Sequence, residues 1–114
     1  MSPTAAVLTE PALLAACWTS AGDVMPLRGP DTSPLDVRTR IEAVARAGYR
    51  GFGLTHADLQ VAGVTVGLPA VAGMLRDHGL ETVQLERVND WWTTGERKER
   101  SDALRDDLFA ACAV

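Results

Sequence analysis

The stretch that decides the fold spans residues 79–92: Gly79-Leu80-Glu81-Thr82-Val83-Gln84-Leu85-Glu86-Arg87-Val88-Asn89-Asp90-Trp91-Trp92. Leu80, Val83 and Leu85 form a short apolar run that ends abruptly at Glu86. Asn89, Asp90, Trp91 and Trp92 follow at once. An apolar strand that stops in carboxylates and rings is the pattern of a buried parallel strand delivering side chains to a functional rim.

Working outward, His78-Gly79 closes a helix that Leu68-Pro69 opens, with Val71, Met74 and Leu75 as its apolar stripe. Residues 60–67 read as a loop. Before them, residues 49–54 (Tyr-Arg-Gly-Phe-Gly-Leu) read as a strand, and Thr55-His56-Ala57-Asp58 as its polar exit. Gly51 and Gly53 weaken that strand by propensity. Their alternation on one face predicts a close approach to the backbone.

A helix precedes it. Ser33 is the expected N-cap, Pro34 takes the first helical position, and Asp36 stands three residues after the cap. Val37, Ile41, Val44 and Ala45 recur at helical spacing, and Gly48 ends the element. Residues 13–18 (Leu-Leu-Ala-Ala-Cys-Trp) have strand length, although alone they also fit a helical turn. The connection through Pro26, Gly29, Pro30 and Pro34 is long, which marks a functional or mobile loop. Downstream, residues 93–100 read as a polar connection or the first exposed turn of a helix. Ser101, or a residue slightly earlier, caps that helix, and Leu104, Leu108, Ala111 and Cys112 line one face. Residues 1–10 read as a flexible N-terminal tail. The chain stops at Val114 with no cap, glycine or proline, which reads as a boundary in mid-element.

Helix, glycine, strand and polar exit thus occur at residues 43–58 and again at 70–90. The fold class is α/β: strand and helix alternate three times, in right-handed units on a parallel sheet.

Composition narrows the function. The chain has 114 residues, 46% hydrophobic and 23% charged, which suits one globular domain or part of one. A net charge of -4 with 11 scattered basic residues argues against a nucleic-acid face. Arg97, Lys98 and Arg100 are interleaved with Glu96 and Glu99, as on a solvated helix face. Cys17 reads as lying in a strand and Cys112 on an apolar helix face, both as free buried thiols. No Cys/His spacing suggests zinc. No secretory signal or membrane span is visible, so the default is a cytoplasmic protein without membrane partners.

Two segments carry a resemblance. The run Leu85-Glu86, Asn89-Asp90-Trp91-Trp92, Gly95-Glu96-Arg97, Arg100-Ser101-Asp102 and Arg105 resembles the third strand–helix unit of the xylose isomerase-like barrels, specifically the sugar phosphate isomerase/epimerase group. Residues 51–59 (Gly-Phe-Gly-Leu-Thr-His-Ala-Asp-Leu) are similar to that group's second strand and exit. The resemblance implies that residues 11–114 are the N-terminal part of a TIM barrel, truncated at the C-terminus. Such a barrel takes roughly 250 residues, so this is a partial barrel of about three of the eight units. It further implies a divalent metal (Mn, Mg, Zn or Co) held mainly by later strands, no metal bound by this chain alone, and no catalytic pair within it.

Candidate substrate contacts gather at the expected strand ends: Trp18, His56, Asp58, Glu86, Asp90 and Trp91, with Trp92 beside them. Each has a plainer reading. The tryptophans can plug the barrel rim or pack under loops. His56 can be a hydrogen-bonded rim residue. Glu86 can pair with Arg87 or another rim cation. Asp90 can cap the following turn. His78 suits a helix C-terminus and carries no assigned function.

The leading expectation is therefore the N-terminal portion of a metal-dependent sugar or sugar phosphate isomerase or epimerase, working by proton abstraction beside a carbonyl on a small carbohydrate. On that expectation the chain alone is inactive. The alternatives are a non-catalytic truncated product or small binding module and, with weaker support from the acidic balance, a relative of metal-dependent AP endonucleases. A three-stranded parallel sheet leaves strand edges exposed, which predicts homo-oligomer formation or marginal stability.

Overall fold

The computed structural model describes residues 11–114. In chain order the elements are β1 (Leu14–Ala15), α1 (Val37–Arg46), β2 (Gly51–Thr55), α2 (His56–Thr65), α3 (Leu68–Asp77), β3 (Thr82–Glu86) and α4 (Glu96–Cys112). The three strands are parallel in the order β1-β2-β3. The α/β class and parallel sheet match the sequence reading. The element order differs, because two helices rather than one join β2 to β3. The tail expected at residues 1–10 lies outside the described residues.

Local chemistry explains the boundaries. Asp36, not Ser33, caps α1: its carboxylate accepts from the Thr39 N–H at 2.9 Å and the Thr39 hydroxyl at 2.8 Å. These bonds, the backbone one foremost, hold the Asp36 carboxyl below the usual carboxylate range. Ser33 turns the preceding loop instead. Its hydroxyl donates to Ala21 O at 2.6 Å and accepts from Leu35 N at 3.0 Å. At the far end of α1, Gly48 has φ 95°, as the expected glycine terminator requires.

The helix α2 overturns the loop expected at residues 60–67. Thr55 caps it by accepting from Asp58 N at 3.1 Å, so His56-Ala57-Asp58 is a first helical turn rather than an irregular exit. Gly63 and the β-branched Val61, Val64 and Thr65 hide the helix from a propensity reading. The threonine–carboxylate spacing at Thr55 and Asp58 was its one local signal. α2 and α3 meet at 102° across the Val66-Gly67 break. The last helix, α4, starts at Glu96, ahead of the Ser101 cap, so of the two readings of residues 93–100 the exposed helical turn is the one observed from Glu96 on. Its polar first turns are helical, tied by the pairs Lys98–Asp102 and Arg100–Glu96.

Strand register sets the two sheet faces. Ala15, Phe52 and Val83 stand side by side, as do Leu54 and Leu85. On this face Ala15, Phe52, Leu54 and Leu85 join Ile41 and Val44 of α1 and Val71, Met74 and Leu75 of α3 in one apolar core, while Val83 stays exposed. The other face carries Gly51 and Gly53. A Cβ on Gly51 would lie 2.8 Å from the Leu14 side chain, and one on Gly53 would lie 2.7 Å from Cys17 N. The close approach predicted from the alternating glycines is therefore made at Gly51 by the Leu14 side chain of β1 and at Gly53 by the backbone leaving β1. β1 itself is shorter than the apolar run at residues 13–18 suggested, because the chain turns at Cys17.

Candidate functional site

Parallel strands deliver their C-terminal ends to one side of the sheet. Here that side holds a cleft of about 130 Å³, lined by Asp31, Thr55, His56, Glu86, Arg87, Asn89 and others. β2 supplies Thr55 and, at the first residue of α2, His56. β3 supplies Glu86.

Glu86 is half-buried, and the Cys17 thiol donates to its Oε1 at 3.0 Å. Burial first, and then the bond to Glu86 and its negative charge, push the Cys17 thiol up to about 12. Cys17 is thus a neutral donor at neutral pH that orients a carboxylate, not a nucleophile. His56 Nε2 lies 3.1 Å from Asp107 Oδ2 on α4. That contact orients the imidazole across the cleft wall. Arg87 turns back to Asn89, its Nε donating to Oδ1 at 2.9 Å. The Glu86–Arg87 pairing considered from sequence is therefore not the contact made.

Asp58 does not face the cleft. It is buried 2.7 Å from Arg40 Nη1, and its other oxygen accepts from Ser33 N at 2.8 Å. Arg40 also donates to Cys17 O at 2.9 Å and Ser20 Oγ at 3.2 Å, and it stands 5.6 Å from the Phe52 ring centroid. This buried cluster ties α1, α2 and the β1–α1 loop behind the cleft. Asp58 is thus a supporting residue rather than a presented ligand-binding group. Sequence reasoning passed over Arg40, although its place on the stripe between Val37 and Ile41 was a signal that the helix face buries a charge.

Asp90 builds the turn into α4. It has φ 60°, its carbonyl accepts from Thr93 N at 3.0 Å, and its carboxylate takes Arg97 at 2.7 Å. This is the plainer of the two readings made for it. Trp91 and Trp92 meet edge to face with centroids 5.7 Å apart. They are 65% and 64% exposed, so neither plugs the rim or packs under a loop. Trp18 is half-buried just past β1. Cys112 is exposed, which corrects its expected burial.

An apolar groove lies elsewhere, between α3 and α4. Val71, Leu75, Val83 and Leu85 line it, and its volume is about 310 Å³. Among the described residues no three His, Cys, Asp or Glu side chains are grouped to hold a metal ion. None of these helices is long and apolar enough to cross a membrane on its own. No family model, no curated protein and no solved structure matches this chain.

Proposed function

We propose that this chain forms the first three strand–helix units of a sugar or sugar phosphate isomerase or epimerase barrel, and that its part is to bind and orient a small carbohydrate. The observation that carries this reading is the convergence of Glu86, His56 and Asn89 on one cleft at the C-terminal ends of adjacent parallel strands. A carboxylate accepts from two neighbouring hydroxyls, an amide both donates and accepts, and an imidazole does either by tautomer. Such a set suits a polyol better than an apolar ligand.

The reaction class is proton transfer beside a carbonyl, for which the family resemblance implies a divalent cation. The residues present do not fit one. Glu86 Oε1 is taken by the Cys17 thiol and His56 Nε2 faces Asp107, so the donors do not converge on a common point. This chain is therefore given no step through a metal. Its residues hold the sugar hydroxyls. The exposed Trp91 and Trp92 favour a second reading, a carbohydrate-binding module without turnover, because a bare ring face can cover the apolar side of a sugar.

Titration of the isotopically labelled chain with ketose phosphates, free ketoses and inosose-like polyols tests both. Amide shifts are expected to centre on His56, Glu86 and Asn89. Replacing the charged acceptor in Glu86→Gln should weaken binding about tenfold or more. Exchange of the substrate C–H for deuterium in heavy water separates turnover from binding, and none is expected from this chain alone. Shifts absent at millimolar sugar, or confined to the α3–α4 groove, would rule the carbohydrate reading out.

A further inference from the structure

Two carboxylates line the cleft, Asp31 from the β1–α1 loop and Glu86 from the end of β3. Both residues are half-buried. Among the described residues neither carboxylate lies within ion-pair distance of a Lys, Arg or His. Glu86 Oε1 accepts from the Cys17 thiol, a neutral donor that leaves the carboxylate charge in place. Asp31 gives its backbone carbonyl to the Thr55 hydroxyl at 3.4 Å, and its side chain bonds to no described residue. The cations nearby are engaged elsewhere. Arg40, behind the cleft, is matched by Asp58 at 2.7 Å, and His56 meets Asp107. Arg87, the one arginine or lysine on the described cleft wall, is exposed and turns to Asn89. A phosphate would need the opposite arrangement. The first turn of α2 stands at the cleft, and a helix N-terminus draws anions. Here that turn already holds the Asp58 carboxylate, and Thr55 takes the Asp58 N–H at 3.1 Å.

We propose that the cleft selects a cationic polyol, an amino sugar or aminocyclitol carrying a protonated amine. Glu86 and Asp31 hold the ammonium, and His56 and Asn89 hold the neighbouring hydroxyls. A cleft of about 130 Å³ admits one end of a sugar ring rather than the whole, so a group inside it stands close to both carboxylates. An ammonium brings three donors and a positive charge, and it answers both carboxylates at once. Its hydrogen bonds to them are charge-assisted, roughly twice as strong as neutral ones. A neutral sugar leaves the two like charges unmatched, and a sugar phosphate adds more negative charge beside them. This selectivity rests on the carbohydrate reading and narrows it from sugars at large to cationic ones.

Titrations of the whole chain at neutral pH, in a metal chelator, compare glucosamine, galactosamine and an aminocyclitol with their hydroxyl parents, the N-acetyl sugars and the 6-phosphates. The amines are expected to bind about tenfold more tightly than the parents, and the phosphates more weakly than either. N-acetylation removes the charge and should remove the gain. The ratio of amine to parent affinity should fall in Asp31→Asn and in Glu86→Gln, since each deletes one negative charge and keeps the shape. Asp31→Lys should reverse the order, so that the phosphate outbinds the amine, a gain that a misfolded chain does not produce. Parents that bind while the amines bind no better would overturn the selectivity and leave the carbohydrate reading standing. A chain that binds none of these compounds would sink both. Phosphates that outbind their parents in the natural sequence, a gain that survives N-acetylation, or a ratio unchanged in both charge-deleting variants would also overturn it.

Discussion

Cys17 and Cys112 are the same residue type in opposite environments. Cys112 is exposed, whereas Cys17 is buried against Glu86 and keeps its proton up to about 12. In the native state one thiol should therefore react quickly with a maleimide at mildly alkaline pH, and two should react in denaturant. Counting labelled thiols by mass spectrometry checks this. The pH dependence of stability has a definite sign. Below about 9 Cys17 is a thiol in both the folded and the unfolded chain. Between about 9 and about 12 the unfolded chain has released that proton and the folded chain has not, so stability falls as pH rises through this window. Urea melts across it should show the loss in the natural sequence and a smaller one in Cys17→Ser.

At the scale of elements, β2 is glycine-rich because another segment passes over it. A Cβ on Gly53 would meet Cys17 N at 2.7 Å and Ala15 O at 3.0 Å, both of them backbone atoms that cannot swing away. Gly53→Ala should destabilise the fold by roughly 1–3 kcal/mol, the range for overpacking. It should also displace Cys17 from Glu86, which thiol accessibility would reveal. Gly73 in α3 is the control. The nearest atom to its added Cβ is the Arg76 Nη2 tip at 4.0 Å, so Gly73→Ala should be neutral or stabilising by up to about 1 kcal/mol through helix propensity. A larger loss at Gly73 than at Gly53 in thermal melts would contradict this account. α4 is the weakly anchored element: it buries only Ser101 and Leu108 and leaves Phe109 67% exposed.

Across the whole molecule, the Arg40–Asp58 pair does what the small core cannot do alone. It joins α1, α2, Ser33 and the Cys17–Ser20 turn behind the cleft. Removing one partner strands a buried charge. Asp58→Leu or Arg40→Met should each lower stability by roughly 3–5 kcal/mol. Combining Arg40→Met with Asp58→Leu should lose clearly less than the two single losses added, because neither charge is then left alone. Denaturant melts of the set measure the coupling. Additive losses would mean that the two side chains act independently.

The sequence by itself determined the α/β class, the parallel strands, α3 and the glycine close approach. Each is written in local period and in residues whose backbone freedom is special. It also marked Glu86 and His56, because polar groups at the end of an apolar strand stand out in one dimension. Only the tertiary structure decided the rest. Ser33 gave up the expected cap of α1 because its hydroxyl is held by Ala21 O, twelve residues away in the chain. Asp58 turned from the cleft because Arg40, eighteen residues away in the chain, lies 2.7 Å from it in space. The pairing of Cys17 with Glu86 spans 69 residues. Local propensity fixes which segments are regular. Which buried polar group answers which depends on contacts between segments that no short window of sequence contains.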